Sequence, residues 1–289
     1  MASMRDIKRR KSSIQGTQQI TKAMKLVSTV KLQRARASAE RSKDYFTCMY
    51  DTVNSILKRV GHVEHKYLTS GASAKKAVIV ITSNRGLAGG YNSNVTKLVT
   101  RHPEWKKEDV EVYCLGSKGR ETFARNGYQI KECDSEIVES PVYKDAALLS
   151  EKLLASFAAG EIGEIYLAYT KFKNTVSHVP TLLKLLPVEI SDEEEENAAE
   201  NEVTAIMNFE PEDTEALDLL IPKYVTSLIY GALRESVASE NGARMQAMDN
   251  ATSNAEEMIS DLTLKYNRAR QGSITQELTE IIAGAEALG

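Results

Sequence analysis

A glycine-rich loop at residues 83–92 is the segment of this chain whose residue types come nearest to a chemical site. It reads Ser-Asn-Arg-Gly-Leu-Ala-Gly-Gly-Tyr-Asn between a predicted strand and a predicted helix, where phosphates bind in doubly wound α/β folds. It matches neither G-x-G-x-x-G nor the P-loop pattern, because no Lys-Ser or Lys-Thr follows its glycines. A second glycine turn, at 115–119, follows the next predicted strand. Any sheet of this class needs such turns, so the sequence favours structural turns over a nucleotide site and predicts no cofactor.

The histidines and cysteines offer no recognisable catalytic or metal-binding pattern. The four histidines are scattered, with His62 and His65 in a polar region, and no G-x-S-x-G motif supports a hydrolase. The three cysteines are widely spaced and include no Cys-x-x-Cys pair, which argues against a disulfide framework and favours a reducing compartment. No apolar segment follows the basic residues at the start, so a secretory leader is not expected. The sequence therefore predicts a non-catalytic protein.

Basic residues are concentrated at the start of the chain. Residues 1–45 hold twelve Lys and Arg against three acidic residues, a local charge of +9, although the whole chain carries −3. Such a segment could bind nucleic-acid phosphates, form a solvated helix face, or face an acidic protein partner. The composition leaves these three interpretations open. The lack of aromatic residues before Tyr45 counts against the first.

The two ends of the chain have the pattern of long helices. All six prolines lie between residues 103 and 222, and apolar residues outside that range recur at helical spacing. Continuous helices over 4–59 and 213–286 would be about 80 and 110 Å long, too long to bury an apolar stripe alone. We therefore predict that they pair as an antiparallel coiled coil, with Val27, Val30 and Met258 among the seam residues and many alanines between them.

The middle of the chain has the pattern of a Rossmann-like, mostly parallel α/β domain. Short β-branched runs at 76–82, 110–116 and 164–170 alternate with predicted helices at 93–101, 118–126 and 145–159, and 181–187 is a candidate edge strand. The predicted segments are an N-terminal helix at 1–60, the α/β domain at 75–190, an acidic loop at 191–210 and a C-terminal helix at 211–289. The longest purely apolar run, Ala77 to Ile81, is too short to cross a bilayer.

The C-terminal segment carries the most specific motif. Residues 274–285, Ile-Thr-Gln-Glu-Leu-Thr-Glu-Ile-Ile-Ala-Gly-Ala, resemble the C-terminal signature of the F-type ATP synthase gamma subunit at every fixed position. The opening residues 5–10 and 19–27 resemble the start of that family, and so do 83–92, 209–211, 235–240, 243–248 and 266–271. These matches follow the family order along nearly the whole chain, which makes chance similarity implausible.

The resemblance implies a rotor shaft in which both terminal helices form the coiled coil. Its implied partners are three alpha and three beta subunits, the epsilon subunit and the membrane ring of c subunits, with nucleotide chemistry on beta. It also implies a peripheral protein on the cytoplasmic face of a bacterial cell membrane, driven by protons. A homodimeric coiled-coil scaffold or a nucleic-acid-binding protein with an α/β head is the alternative from another class.

The resemblance further implies contact residues, matched motif by motif. Those expected to meet alpha and beta are Lys22, Met24, Lys25, Arg244, Arg270, Gln271, Thr275 and Glu277, and those expected at the foot are Met207, Phe209 and Glu210. Two departures accompany it. Pro222 predicts a kink or a start in the last helix. The acidic run 192–196 contains no cysteine where chloroplast relatives carry a redox insert, so thiol regulation of that kind is not expected.

Overall fold

A computed structural model describes residues 4–60, 65–71, 73–188 and 213–286. The chain divides into two units, which are treated separately below. The helix-pair unit contains the residues up to Val30 and those from Arg244 onward. The sheet unit contains Lys31–Ala243.

Five α-helices and five strands follow one another along the described chain. In order they are α1 (Met4–Val60), β1 (Lys76–Ile81), α2 (Tyr91–Thr100), a 3₁₀ turn (Lys107–Asp109), β2 (Val110–Leu115), α3 (Ser117–Arg125), β3 (Gln129–Asp134), α4 (Tyr143–Ala158), β4 (Glu164–Phe172), β5 (His178–Leu186) and α5 (Asp213–Glu286). The two longest helices are at the ends of the chain, as the distribution of prolines predicts.

The sheet has the strand order β3-β2-β1-β4-β5. Neighbouring strands are parallel except β4 and β5, which are antiparallel, so the prediction of a mostly parallel sheet is confirmed. Strand β3 is missing from the sequence prediction. Its sequence, Gln-Ile-Lys-Glu-Cys-Asp, has three charged residues and lies at the edge of the sheet, where charged side chains can stay in water and discourage further strand pairing.

Both faces of the sheet are covered, which explains the unbroken apolar sequence of β1. Alternate residues of β1 point to opposite sides. Ile79 and Ile81 pack with α4, the second half of α1 and the first part of α5, whereas Val78 and Val80 pack with α2 and α3 around Phe123. The first part of α5 is therefore a core helix of the sheet unit.

Helix α5 continues through Pro222, so the predicted start at this proline is wrong. Proline removes one helical hydrogen bond and costs about 3 kcal/mol in a helix interior. The flanking side chains Leu217, Ile221 and Val225 are fully buried, and each such burial stabilises by roughly 1.5–3 kcal/mol. Burial of this face therefore outweighs the cost of the proline. The Thr226 hydroxyl also donates to the Pro222 carbonyl, at 2.8 Å.

Part of α5 is apolar enough to resemble a membrane span. An 18-residue window within Ala216–Ala285 has a mean hydropathy of 1.2, yet 56% of that window is buried inside the protein. Such burial is typical of the core helix of a globular domain.

The helix-pair unit joins the first part of α1 to the last part of α5 in antiparallel orientation. Three side-chain contacts connect Gln18 to Glu256, Thr21 to Thr252, and Lys25 to Asp249. Residue numbers rise along α1 while they fall along α5, which occurs only when the helices run in opposite directions. The predicted antiparallel pairing of the two chain ends is therefore confirmed.

Candidate partner-binding surface on the terminal helices

The glycine turns are tied together by their own polar groups. The amide N–H groups of Ser117 and Gly119, at the start of α3, donate to the side-chain oxygens of Asn84 (3.0 Å) and Thr82 (2.8 Å). The Ser83 N–H donates in the same way to the Asn92 side chain, at 2.9 Å. A helix N-terminus binds phosphate through free amide groups, and here neighbouring side chains accept hydrogen bonds from two of them.

Gly116 shows why these turns need glycine. Its φ is +108°, and a Cβ at this position would lie 2.1 Å from the Thr82 carbonyl oxygen. Any other residue would therefore clash with the backbone as well as adopt a strained conformation. The close approach of the two loops accounts for the glycine without a ligand.

The described histidines occupy structural positions. His65 is buried although the sequence around it is polar, and its Nε2 lies 3.1 Å from the Asp218 carboxylate. Asp218 also accepts from Lys66 at 2.9 Å, and this hydrogen bond holds the pKa of Asp218 below its usual value. His178 packs against Gly242, and burial lowers the pKa of its ring. His62 lies outside the described residues. Within the described ranges, no group of three or more His, Cys, Asp and Glu side chains could hold a metal ion.

A cavity of about 250 Å³ opens between β2, β3 and α4 in the sheet unit. Its polar lining contains the carboxylates of Glu132, Asp134 and Asp145, together with Lys152, whose ammonium lies 2.5 Å from Glu132. The negative charges outnumber the positive one, so the cavity repels the phosphates of a nucleotide.

Of the six described residues that the helix-pair unit buries, three carry hydroxyls and three are apolar, namely Met248, Ala255 and Leu262. Thr21 and Ser28 of α1 and Thr252 and Ala255 of α5 are buried, and the two threonine hydroxyls lie 2.8 Å apart. Small side chains allow close approach of the two backbones, in agreement with the alanine-rich pattern of the sequence.

Large aliphatic side chains point away from this seam. Ile20 and Leu26 are each 63% exposed, and Val27 is 57% exposed. Val27, Val30 and Met258 are therefore not seam residues, and their predicted burial is wrong. Ile20 and Leu26 belong to this outer surface and were not selected by the sequence pattern, although Ile20 and Val27 are seven residues apart and so lie on one helix face.

Four of the residues expected to contact alpha and beta, Lys22, Met24, Lys25 and Arg244, differ in how exposed they are. Lys22 is exposed and Met24 is partly buried. The ammonium of Lys25 lies 2.5 Å from Asp249 of the facing helix, which partly neutralises its charge. Arg244 is partly buried on α5. Of the two lysines, Lys22 therefore offers the more accessible charge.

The other four residues expected to contact alpha and beta form an exposed polar band near the end of α5. Arg270, Gln271, Thr275 and Glu277 all lie in solvent. The Thr275 hydroxyl donates to the Gln271 carbonyl at 2.9 Å, and Glu277 accepts from Ser273 at 3.4 Å. Both bonds are between residues one helical turn apart. The side chains of Arg270 and Gln271 are exposed, so their hydrogen-bonding groups lie on the surface. Met207, Phe209 and Glu210 lie outside the described residues.

Every residue from 274 to 285 is exposed, including four large aliphatic ones. They are Ile274, Leu278, Ile281 and Ile282. Their spacing of four, seven and eight residues from Ile274 places them on one helix face, and such an exposed apolar stripe gains stability when a partner covers it.

These features define a class of protein: an interaction protein that combines a Rossmann-like α/β unit with an antiparallel pair of long terminal helices. The family model described as ATP synthase matches residues 3–288. The ATP synthase gamma chain of Lachnoclostridium phytofermentans is 64% identical over 291 residues, covering 100% of both chains. The chain belongs to the ATP synthase gamma chain family.

Two further likenesses agree with this membership. The "ATP synthase gamma chain, sodium ion specific" of Acetobacterium woodii is 42% identical over 300 residues and covers 99% of both chains. A chain in the solved structure of the Euglena gracilis mitochondrial ATP synthase, described as OSCP/F1/c-ring, matches with a TM-score of 0.70 at 18% identity, covering 99% of this chain and 94% of that one. At this identity the likeness shows the fold. The alternative of a homodimeric scaffold or nucleic-acid-binding protein is not favoured.

Proposed function

We propose that this chain is the central-stalk rotor subunit of a proton-driven F-type ATP synthase. In this role it couples rotation of a membrane c ring to the conformational cycle of catalytic beta subunits. The observation that carries the proposal is the set of large aliphatic side chains that the helix pair leaves exposed, on a chain that matches the family from residue 3 to 288.

The exposed aliphatic residues suit a shaft that turns inside a sleeve. Apolar contact is not directional, so it can hold a helix in place at every angle with similar free energy. A network of charge-assisted hydrogen bonds would favour one angle and resist turning. Residues 281–285, Ile-Ile-Ala-Gly-Ala, have the first kind of surface and contain no charged side chain.

The exposed polar band supplies the angle-dependent contacts that transmit torque. Arg270 presents a planar guanidinium that can bind a carboxylate through two parallel hydrogen bonds, and lysine would not reproduce this geometry. Arg270 and Gln271 are exposed on the turn before Ile274, and both are therefore assigned to contacts with beta. Met24, Lys22, Arg244, Thr275 and Glu277 are assigned to the same set of alpha and beta contacts, with Lys25 acting while paired to Asp249.

The proposed partners are three alpha and three beta subunits, the epsilon subunit and the c ring, with catalysis on beta. Met207, Phe209 and Glu210 are assigned to the foot contacts with epsilon and the c ring. The complex is placed on the cytoplasmic face of a bacterial membrane, and this chain is peripheral to it. One relative is named as sodium ion specific, and we assign the choice of ion to the c ring rather than to this chain.

A double substitution of Arg270 and Gln271 to alanine in the assembled complex tests the proposed role. Loss of charge-assisted hydrogen bonds worth about 1.5–3 kcal/mol should lower ATP turnover by roughly tenfold or more, with nucleotide binding to beta unchanged. Steady-state ATPase assays and equilibrium nucleotide titration measure the two quantities.

Arg125→Ala is the matched control, because Arg125 is an exposed arginine on α3 in the sheet unit. It should leave turnover unchanged. The assignment of the polar band would be overturned if the double variant turned over ATP as fast as the wild type, or if Arg125→Ala lowered ATP turnover by as much as the double variant. Purification of the chain without alpha and beta subunits would overturn the function itself.

A further inference from the structure

Two cysteines that are nineteen positions apart in sequence are neighbours in the sheet. Strands β2 and β3 are parallel, and their register places Cys114 directly beside Cys133. Because the two residues are in register, their side chains point to the same face of the sheet. Both contribute to the apolar cluster around Val112 and Phe123.

This placement satisfies the backbone requirement for a disulfide. Adjacent strands are about 4.7–4.9 Å apart, and the Cα atoms of disulfide-bonded cysteines usually lie about 4.4–6.8 Å apart. The Gly116 N–H donates to the Asp134 carbonyl at 2.8 Å, just beyond the pair, and this bond holds the two strand ends together. A register irregularity at Val112/Tyr113 and the edge position of β3 allow the small adjustment that brings the Cβ atoms closer.

The two thiols differ in access. Cys114 is fully buried, whereas Cys133 is partly exposed on the edge strand. An oxidant from solvent therefore reaches Cys133 first, and Cys114 lies behind it as the second thiol. This arrangement is the one found where a reactive cysteine has a resolving partner.

We infer that Cys114 and Cys133 form a site of reversible two-electron oxidation, at which a low-molecular-weight disulfide converts the two thiols to a cross-strand disulfide. In the first step the Cys133 thiolate attacks one sulfur of the small disulfide, breaks its S–S bond and releases one small thiolate. In the second step the Cys114 thiolate attacks the Cys133 sulfur and releases the other. Two protein thiols and one small disulfide thus give one protein disulfide and two small thiols.

The second step controls the rate. Burial raises the pKa of the Cys114 thiol to about 12, with a further rise from the nearby Cys133 and an opposing effect of Arg120. Little Cys114 thiolate exists at neutral pH, so ring closure is slow and becomes faster as pH rises. The buried thiol is correspondingly protected from reagents that act on single cysteines.

The test uses the full chain in its native complex, with Cys48 replaced by serine because that cysteine is exposed. The complex is incubated with oxidised glutathione at pH 7 and pH 9, free thiols are blocked, and the linkage is identified by peptide mass mapping. The expected product is a peptide pair joined through Cys114 and Cys133, formed several-fold faster at pH 9 and removed by dithiothreitol.

Cys114→Ser is the matched variant for the resolving thiol. It should stop at a stable glutathione adduct on Cys133, with native circular dichroism and unchanged assembly. Hydrogen exchange at the β3 amides of the oxidised wild-type chain should become slower, because the edge strand is then tethered to β2. A glutathione adduct on Cys133 that persists at pH 9 in the chain that retains Cys114, or no modification of either cysteine in the folded complex, would overturn the inference.

Discussion

The sheet unit and the helix-pair unit differ in which side chains they hide. In the sheet unit, the largest fully buried side chains are Phe123 and a set of isoleucines and leucines. In the helix-pair unit, six described residues are buried, and Thr21, Ser28 and Thr252 among them carry hydroxyls. Aliphatic residues of this unit such as Ile20 and Leu26 lie in solvent instead.

This difference separates two sources of stability. The sheet unit gains its free energy of folding from its own core, because burial of apolar area stabilises by about 25 cal/mol per Å². The helix-pair unit leaves much of its aliphatic surface in water, so a larger share of its stability must come from whatever covers it. A shaft inside a ring of other subunits fits that requirement, and a self-sufficient domain does not.

The largest effect is expected from removal of a core side chain in the sheet unit. Phe123→Ala should lower the free energy of unfolding by roughly 3–5 kcal/mol, because Phe123 is fully buried between β-strand residues and Tyr128. Urea unfolding followed by circular dichroism measures the loss. Leu87→Ala, at an exposed position, is the control and should change little. A loss below about 1 kcal/mol would show that the sheet unit does not depend on this core.

An intermediate effect, dependent on pH, is expected at Glu164. Burial alone would raise the pKa of this carboxylate, but hydrogen bonds and charge from Lys76, together with Lys184, outweigh it and hold the pKa below its usual value. A depressed pKa in the folded state adds stability above the pKa of the unfolded chain, which is about 4.3, and this stability is lost as pH falls through the folded pKa.

Glu164→Gln should therefore destabilise the sheet unit by about 1.5–3 kcal/mol at pH 7 and by much less below pH 3. Thermal unfolding of the wild type and the variant across this range measures the difference. Glu121→Gln is the control, since Glu121 is exposed and paired with Lys118 on one helix. A destabilisation by Glu164→Gln that does not change with pH would contradict the ion-pair explanation.

The smallest effect is expected in the seam of the helix pair. The hydroxyls of Thr21 and Thr252 contact one another and also the backbone carbonyls of Gln18 and Met248. Because each hydroxyl has one proton to donate, the two hydroxyls can form only two of these three hydrogen bonds at a time. Thr252→Val leaves Thr21 able to donate to Gln18 and should cost only about 1 kcal/mol. Hydrogen exchange in residues 18–30 measures this local cost.

Lys25→Ala gives the comparison for the same seam. Its ion pair with Asp249 is largely in solvent, so the change should cost no more than about 0.5 kcal/mol. A loss of several kcal/mol from Thr252→Val would show that the seam is a self-sufficient core, which would remove the contrast between the two units.

Much of the fold could be predicted because local patterns agreed with it. The unbroken apolar run of β1 and the restriction of prolines to the middle of the chain predicted a buried parallel strand and two long end helices, and both are present. Strand β3 was missed because four of its six residues are polar or charged and do not alternate with apolar ones, so the sequence has no strand pattern there. The beginning of α5 at Asp213 was predicted, but the start expected at Pro222 is absent, because tertiary burial of the flanking side chains compensates for the proline.

Only one part of the candidate site was selected by a sequence motif. The motif picked out residues at 270–277, which are exposed in the structure, and their contact with beta stays a prediction. The sequence did not predict which way each aliphatic side chain faces, because Val27 and Val30 have the same helical spacing whether they face the other helix or a partner subunit. The proximity of Cys114 and Cys133 could not be predicted either, because it depends on strand β3, which the sequence did not predict, and on its register with β2.

The sequence by itself determined the helical ends, the parallel sheet and the glycine turns, because hydrophobic period, proline exclusion and the steric needs of a turn act over a few residues. Tertiary structure decided the continuation of α5 through Pro222, the burial of hydroxyls at the helix seam and the pairing of two distant cysteines. These features depend on which segments pack against one another, and the free energy of that packing is set by residues far apart in the chain.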